Sequence, residues 1–241
     1  MERFKAVSPI IGRKLESGIN VSSYASYPMN LFSPFNYSPD YRIPVPGQVE
    51  EYANSVESVW QGLKIIDGAT DFRLFKRRHR KRKGNVDGHL FNHEILGIIE
   101  AREKIYMPTY FFHVEQNIPK EVKDSLLTRA LTEEICFYDI ETNLDIEDAS
   151  SPLAHSVFLA MFFNQYKIDR LNELREKIDL EYLKQEQTHE TLAEPLARGI
   201  KLYQSRPNHE KDLIRFVLAN SQQDLDFFHQ RYYSELLKRI I

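Results

Sequence analysis

Five of the chain's eleven prolines, Pro28, Pro34, Pro39, Pro44 and Pro46, fall within one short stretch near its start. Each removes a backbone donor and restricts the residue before it, so long helices are excluded there. Residues 1–50 are therefore predicted to be turns and short extended pieces, with strand candidates around 21–27 and 41–45. Tyr24, Tyr27, Phe32, Phe35 and Tyr37 give this stretch many rings. Such rings pack over a core or line a pocket.

Helical periodicity begins beyond residue 50. In SVESVWQGLKII, residues 55–66, the apolar residues Val56, Val59, Trp60, Leu63 and Ile66 recur at helical spacing. Ser55 reads as the N-cap and Glu57 falls in the first turn. Further helices are predicted over 93–104, ending before Met107-Pro108, and over 120–132, opened by Pro119. Pro152 leads into another, LAHSVFLAMFF, and four more are predicted over 168–186, 188–204, 208–218 and 221–240. Residues 135–138 read as a short strand. The expected fold is mainly α with short β segments: one unit over 1–164, then a helical C-terminal extension over 165–241 that packs on the same core or serves assembly.

An apolar content of 42% is ordinary for a globular chain. The single cysteine, Cys136, excludes an intrachain disulfide and, among apolar neighbours, reads as a core thiol. No apolar run approaches the ~20 residues that span a membrane, and Met1-Glu2-Arg3-Phe4-Lys5 lacks the apolar stretch of a signal peptide. A cytoplasmic protein with no membrane partner is the expectation.

A formal net charge of −3 excludes a generic polyanion binder, but the charge is unevenly placed. Residues 76–83, KRRHRKRK, carry seven formal positive charges in eight positions. That self-repulsion has to be solvated or matched by anions. Arg77, Arg78, Arg80, Lys81 and Arg82 are candidates for contact with phosphate or nucleic acid; the alternative is a loop matched by the protein's own carboxylates.

Several chemistries lack their signatures. His89 and His93 would share a face if their segment were helical, but there is no H-E-x-x-H and no second cysteine, so no metal centre is expected. No glycine-rich nucleotide fingerprint and no G-x-S-x-G occurs, and no cofactor is expected. The carboxylates offer more. Cleaving a glycosidic bond at a ribose builds positive charge on the sugar, which one carboxylate stabilises while another orients or deprotonates water. Glu57, Glu141, Asp145 and Asp148 are the candidates. The competing reading makes Glu57 a first-turn glutamate favouring the helix dipole and the acids of 139–148 a solvated turn.

Two stretches carry a family resemblance: Tyr27-Pro28-Met29-Asn30-Leu31-Phe32-Ser33-Pro34-Phe35, and Ser55-Val56-Glu57-Ser58-Val59-Trp60-Gln61-Gly62-Leu63-Lys64. They resemble the NADAR superfamily, including the YbiA-like N-glycosidases, whose helix reads S-x-E-H-x-x-Q-x-x-K. Ser55, Glu57, Gln61 and Lys64 match that pattern, and Ser58 stands where the family usually has histidine. The segments 84–112 and 138–155 look more like an uncharacterised bacterial and phage branch. The resemblance implies a compact, mainly helical fold with additional C-terminal helices here. It also implies hydrolysis of an N-glycosidic bond in an ADP-ribose-like compound, an ADP-ribosylated base or a phosphoribosyl compound.

On that reading Glu57 is the catalytic acid, with Asp145 and Asp148 in support. Asn30, Phe35 and Gln61 are candidate substrate contacts, and Asn143 could help to close the pocket. Trp60 is either core or a stacking platform. Lys64 binds phosphate or pairs with an acid. Arg102 grips phosphate or is an ordinary helix arginine. His155 bonds a substrate hydroxyl or caps local carboxylates. Two further readings stand beside this one: a non-enzymatic nucleic-acid-binding accessory protein using 76–83, and a helical interaction module, homodimeric through 165–241.

Overall fold

The computed structural model describes residues 2–78, 81–183, 192–221 and 225–241. The fold is mainly helical with short strands, and it divides into two compact units: residues 1–122 with 134–162, and residues 123–133 with 163–241. Among the described residues no helix is long and apolar enough to cross a membrane.

The proline-rich start forms no long helix. It supplies strands β1 (Phe4–Ala6), β2 (Gly18–Asn20) and β3 (Ile43–Pro44), the four-residue helix α1 (Pro9–Gly12) and a 3₁₀ turn at Met29–Phe32. Strands β1 and β2 flank β8 (Ile135–Tyr138), both parallel to it. Phe4 and Phe137 stack across the first pair, 5.7 Å apart. Cys136 lies in that central strand, and burial pushes its thiol up. Strand β3 pairs with β4 (Tyr52–Ala53).

Helix α2 runs over Val56–Leu63 and stops three residues short of the expected end. Lys64–Ile66 instead form β5, which pairs with β6 (Val86–Phe91), itself paired with β7 (Glu94–Leu96). The isoleucines thereby gain a pleated, buried partner, and tertiary pairing overrides the helical spacing. Helix α2 lies close to the 3₁₀ turn Phe72–Lys76 because Gly62 has no side chain: a Cβ there would sit 2.3 Å from the ring of Phe75.

The predicted helix over 93–104 is displaced. Strand β7 occupies its start, and the helix begins at α3 (Ile98–Ala101), passes through a π turn at Arg102–Tyr106 and continues as α4 (Met107–Asn117). Pro108 does not end it; it sits just after the π turn. Helix α4 is held by buried partners: the Tyr110 hydroxyl donates to the Phe32 carbonyl at 2.7 Å, and His113 Nε2 donates to the Leu31 carbonyl at 3.0 Å. These bonds fix the 3₁₀ turn that carries Asn30.

The predicted apolar helix after Pro152 and the one over 168–186 are a single element, α6 (His155–Lys177), extended by a π turn at Ile178–Leu183. It follows α5 (Lys120–Ala130) and β8 in the chain. The remaining helices are α7 (Ala193–Ser205), α8 (Asn208–Asn220) and α9 (Phe227–Ile240). The predicted starts near 188 and 221 fall at or beside residues 184–191 and 222–224, outside the described residues. Within the second unit, Gly199 of α7 admits the Tyr232 hydroxyl, which would lie 2.2 Å from an added Cβ.

The second unit also buries a charge. Arg170 donates through Nε and Nη2 to Asp124 at 3.0–3.3 Å, and Tyr166 donates to the same carboxylate at 2.7 Å. Asp124→Ala is expected to cost about 3 kcal/mol, because the buried guanidinium would lose its main partner and keep only Glu173 and Glu210, at 2.8 and 3.4 Å. Replacing both residues with apolar ones should cost much less. Urea unfolding of the single and double variants checks the difference.

Candidate functional site

A cavity of about 1340 Å³ opens in the first unit. Helix α2 supplies its floor of chemistry. The Ser55 side chain accepts from the Ser58 N–H at 3.0 Å and starts the helix, and the Glu57 N–H donates to the Pro34 carbonyl at 2.9 Å. That bond ties the Ser33-Pro34-Phe35 loop to the first turn. Glu57 is 5% exposed. Its Oε1 accepts from Gln61 Nε2 at 2.7 Å, the i, i+4 contact that the helix provides. The Gln61 carbonyl oxygen Oε1 in turn accepts from the Arg82 N–H at 3.1 Å.

The basic run folds back onto this helix. Arg82 donates through Nη1 to the carbonyls of Gln61 and Lys64, at 3.0 and 2.6 Å, and through Nη2 to Ala69 at 3.2 Å. Lys81 reaches Glu141 at 3.3 Å, and both line the cavity. Arg78 lines it too, with its guanidinium 5.8 Å from the Tyr37 ring centre. Lys76 donates to the Tyr52 carbonyl. Arg77 is exposed and does not line the cavity, while Arg80 lies outside the described residues. Part of the run's charge is thus matched from within, and two of its cations face the cavity.

Lys64 lies at the cavity as the first residue of β5. Burial pushes its ammonium below the usual lysine value, and Lys81 and Arg82 add to that, while Glu57 opposes it. Half-buried Trp60 lines the cavity with Tyr106 packed edge-on against it, 5.4 Å away. Burial, and then the Glu57 charge, hold the Tyr106 hydroxyl well above its ordinary range. Asn30 and Phe35 line the cavity from the segment tied to the first turn of α2.

Asp145, Asp148 and Asn143 do not line this cavity, which corrects the expectation that the two aspartates support Glu57 there and that Asn143 helps to close the pocket. Their side chains wind the loop that carries them. Asp145 Oδ1 accepts from the Glu147 N–H at 3.0 Å, and Asp148 Oδ1 from the Ser150 N–H at 2.8 Å. Asn143 accepts from the Asp145 N–H and donates to the carbonyls of Asp148 and Ser151. Such short-range bonds are what Asp and Asn side chains make in turns.

Arg102 explains the acids. It is 4% exposed. Its guanidinium donates to the carbonyls of Ile146, Asp148 and Ser151 at 2.6–2.8 Å. Burial lowers its pKa, and Asp148, Asp145 and Glu147 offset that by their charge. Arg102 therefore clamps the loop whose residues Ala149–Leu153 line the cavity. His155 is also committed: Nε2 donates to the Val21 carbonyl at 3.0 Å and Nδ1 lies 2.7 Å from Asp139 Oδ2. Burial alone would raise Asp139, but the His155 hydrogen bond and charge, with N–H donors from Glu141 and Ser156, hold it below the carboxylate range.

Sequence reading weighed His89 only as a metal ligand and passed over Asp87; both line the cavity from β6. His89 and His93 share no helical face, since one is in a strand and the other in the turn after it. Alternation alone does not place Asp87 and His89: β6 is irregular at Asp87, since Ile65 pairs with Gly88 and Ile66 with Val86, and Asp87 Oδ2 accepts from the Gly68 N–H at 2.8 Å. Among the described residues no cluster of three His, Cys, Asp or Glu side chains is placed to hold a metal.

Buried histidines set the acid stability of this unit. Burial, and secondarily the Lys64 charge, push His89 down to about 3; burial pushes His113 down to about 4. An unfolded histidine takes a proton near pH 6.5, whereas the folded ones refuse it, so stability falls as pH drops below 6.5. At pH 5 the loss is about 2 kcal/mol for each. Asp139, with a depressed value, contributes above about pH 4 and loses that contribution only below it. Urea midpoints at pH 7.5 and 5.0 check this; equal midpoints would contradict neutral burial of the pair.

Residues 14–159 match the sequence profile of a family of unknown function (DUF6939). The chain belongs to this family. The matched stretch is more than half of the chain and spans every residue that lines the cavity. No curated protein and no solved structure gives a significant match.

Proposed function

We propose that this cavity binds a phosphate-bearing ribosyl compound and hydrolyses its N-glycosidic bond. The observation that carries the reading is a buried carboxylate, Glu57, held by Gln61 in a cavity also lined by Lys64, Arg78 and Lys81 and by the rings of Trp60 and Tyr106. A carboxylate suits the positive charge that develops on the ribose as its C–N bond breaks. The cations suit phosphate, and the rings suit a flat heterocycle. The resemblance of 27–35 and 55–64 to the NADAR superfamily supports the same reading.

In this scheme the C1′–N bond breaks and its electron pair leaves with the heterocycle. Water adds to C1′, and its proton passes to Glu57 and then to the departing nitrogen. One carboxylate serves both roles in this scheme: Asp145 and Asp148 belong to the loop's own turns, and Glu141 lines the cavity paired with Lys81 at 3.3 Å. Ser58 has a structural part in it: its hydroxyl bonds Ser55 and the Arg77 carbonyl, at 2.7 and 3.3 Å, and so ties the basic segment to α2. The test is incubation with ADP-ribosylated bases, NAD and phosphoribosyl compounds, followed by chromatography of free base. Release is expected for at least one class, and no release from any would overturn the reading.

A further inference from the structure

The imidazole of His89 is 1% exposed, yet neither ring nitrogen has a hydrogen-bond partner among the described residues. Each unmet polar atom in such a place is costly, because its bond to water was given up for nothing. Buried polar groups are nearly always satisfied, and the exceptions call for a reason. An apolar ring would fill the same volume without that cost. The strand register puts His89 opposite Lys64, and its ring lies 3.8 Å from the indole of Trp60, tilted by 32°. Both rings line the cavity. A third unmet atom lies on a lining residue as well, the side-chain oxygen Oδ1 of Asn30.

Resting on the glycosidase reading, we propose that His89 is a specificity-determining residue, bonding the ligand's heterocycle through one ring nitrogen while Trp60 shifts to stack on that heterocycle. The chemistry is matched. Held far below its ordinary pKa, His89 stays neutral at physiological pH, so it offers one N–H donor and one bare nitrogen. Heterocycle edges carry both acceptors and donors, and either tautomer meets one of them. The half-buried indole is the movable layer: it is packed against His89 and Tyr106.

Trp60 is the chain's one tryptophan, so its fluorescence reports on this site alone. The probes are AMP, GMP, UMP and nicotinamide mononucleotide, with ribose 5-phosphate as the control that lacks a heterocycle. In a Glu57→Gln background that halts turnover, at least one nucleotide should bind and change Trp60 emission. His89→Phe should weaken that nucleotide tenfold or more, change ribose 5-phosphate binding less than twofold, and leave the melting temperature equal or higher. A merely structural histidine would give the same gain in stability with no loss of binding, and that result overturns the inference while leaving the glycosidase reading intact. If His89→Phe does not fold, imidazole ¹⁵N spectra of the chain with native His89 decide: a bound nucleotide must shift one His89 ring nitrogen, and binding with no shift overturns the assignment. Failure of every probe to bind would overturn this inference, while release of free base from ADP-ribosylated bases, NAD or phosphoribosyl compounds decides the glycosidase reading separately.

Discussion

Glu57→Gln is expected to lower base release about 10³-fold, with ligand affinity changed only a few-fold. The amide matches the carboxylate in shape, and its oxygen can still accept from Gln61 Nε2, so the turn should persist. What it lacks is the negative charge facing the sugar and the capacity to take a proton from water. A loss confined to the rate constant, with binding retained, is the signature of an interaction made in the transition state. Single-turnover assays beside calorimetric titration separate the two quantities. Full activity in Glu57→Gln would take the reaction away from this residue. The lysine beside it should respond as well: without the Glu57 charge, Lys64 loses the influence that opposes its burial.

The second large effect is structural. Arg102→Ala is expected to destabilise the first unit by about 3–5 kcal/mol, since one charged fork holds three loop carbonyls. For a unit of this size that is a fall in Tm of about 10 °C. Arg102→Lys should not restore it, because an ammonium on a flexible stem cannot reproduce a planar fork. The loop should then loosen, and ligand binding should weaken with it, since Ala149–Leu153 line the cavity. Thermal melts and proteolysis within 145–151 would follow this. A variant that melts like the parent would mean the loop holds itself through its Asn143 and aspartate turns alone.

The two variants mark where local pattern was enough and where it was not. Helical spacing put Glu57 and Gln61 on one face, and the N-cap at Ser55 set the frame; both are contacts within four residues, written directly in the sequence. The mainly helical class and the irregular start followed from proline placement and apolar periodicity for the same reason. Lys64 met the cavity by a different route from the one its spacing suggested, since the helix ends at Leu63 and β5 carries it there.

What spacing could not supply was long-range pairing. The placement of His89 opposite Lys64 depends on a strand register between segments far apart in the chain, and a one-residue slip would turn His89 away. The acids at 145 and 148 looked chemical because composition counts charges without saying where they point. Only the folded loop shows them bonded to their own backbone around a buried arginine that lies 44 residues from Ile146 in the chain. Local sequence determined which residues stand on α2; the tertiary structure decided which distant side chains share its cavity, because burial and hydrogen-bond satisfaction are settled only when the whole unit closes.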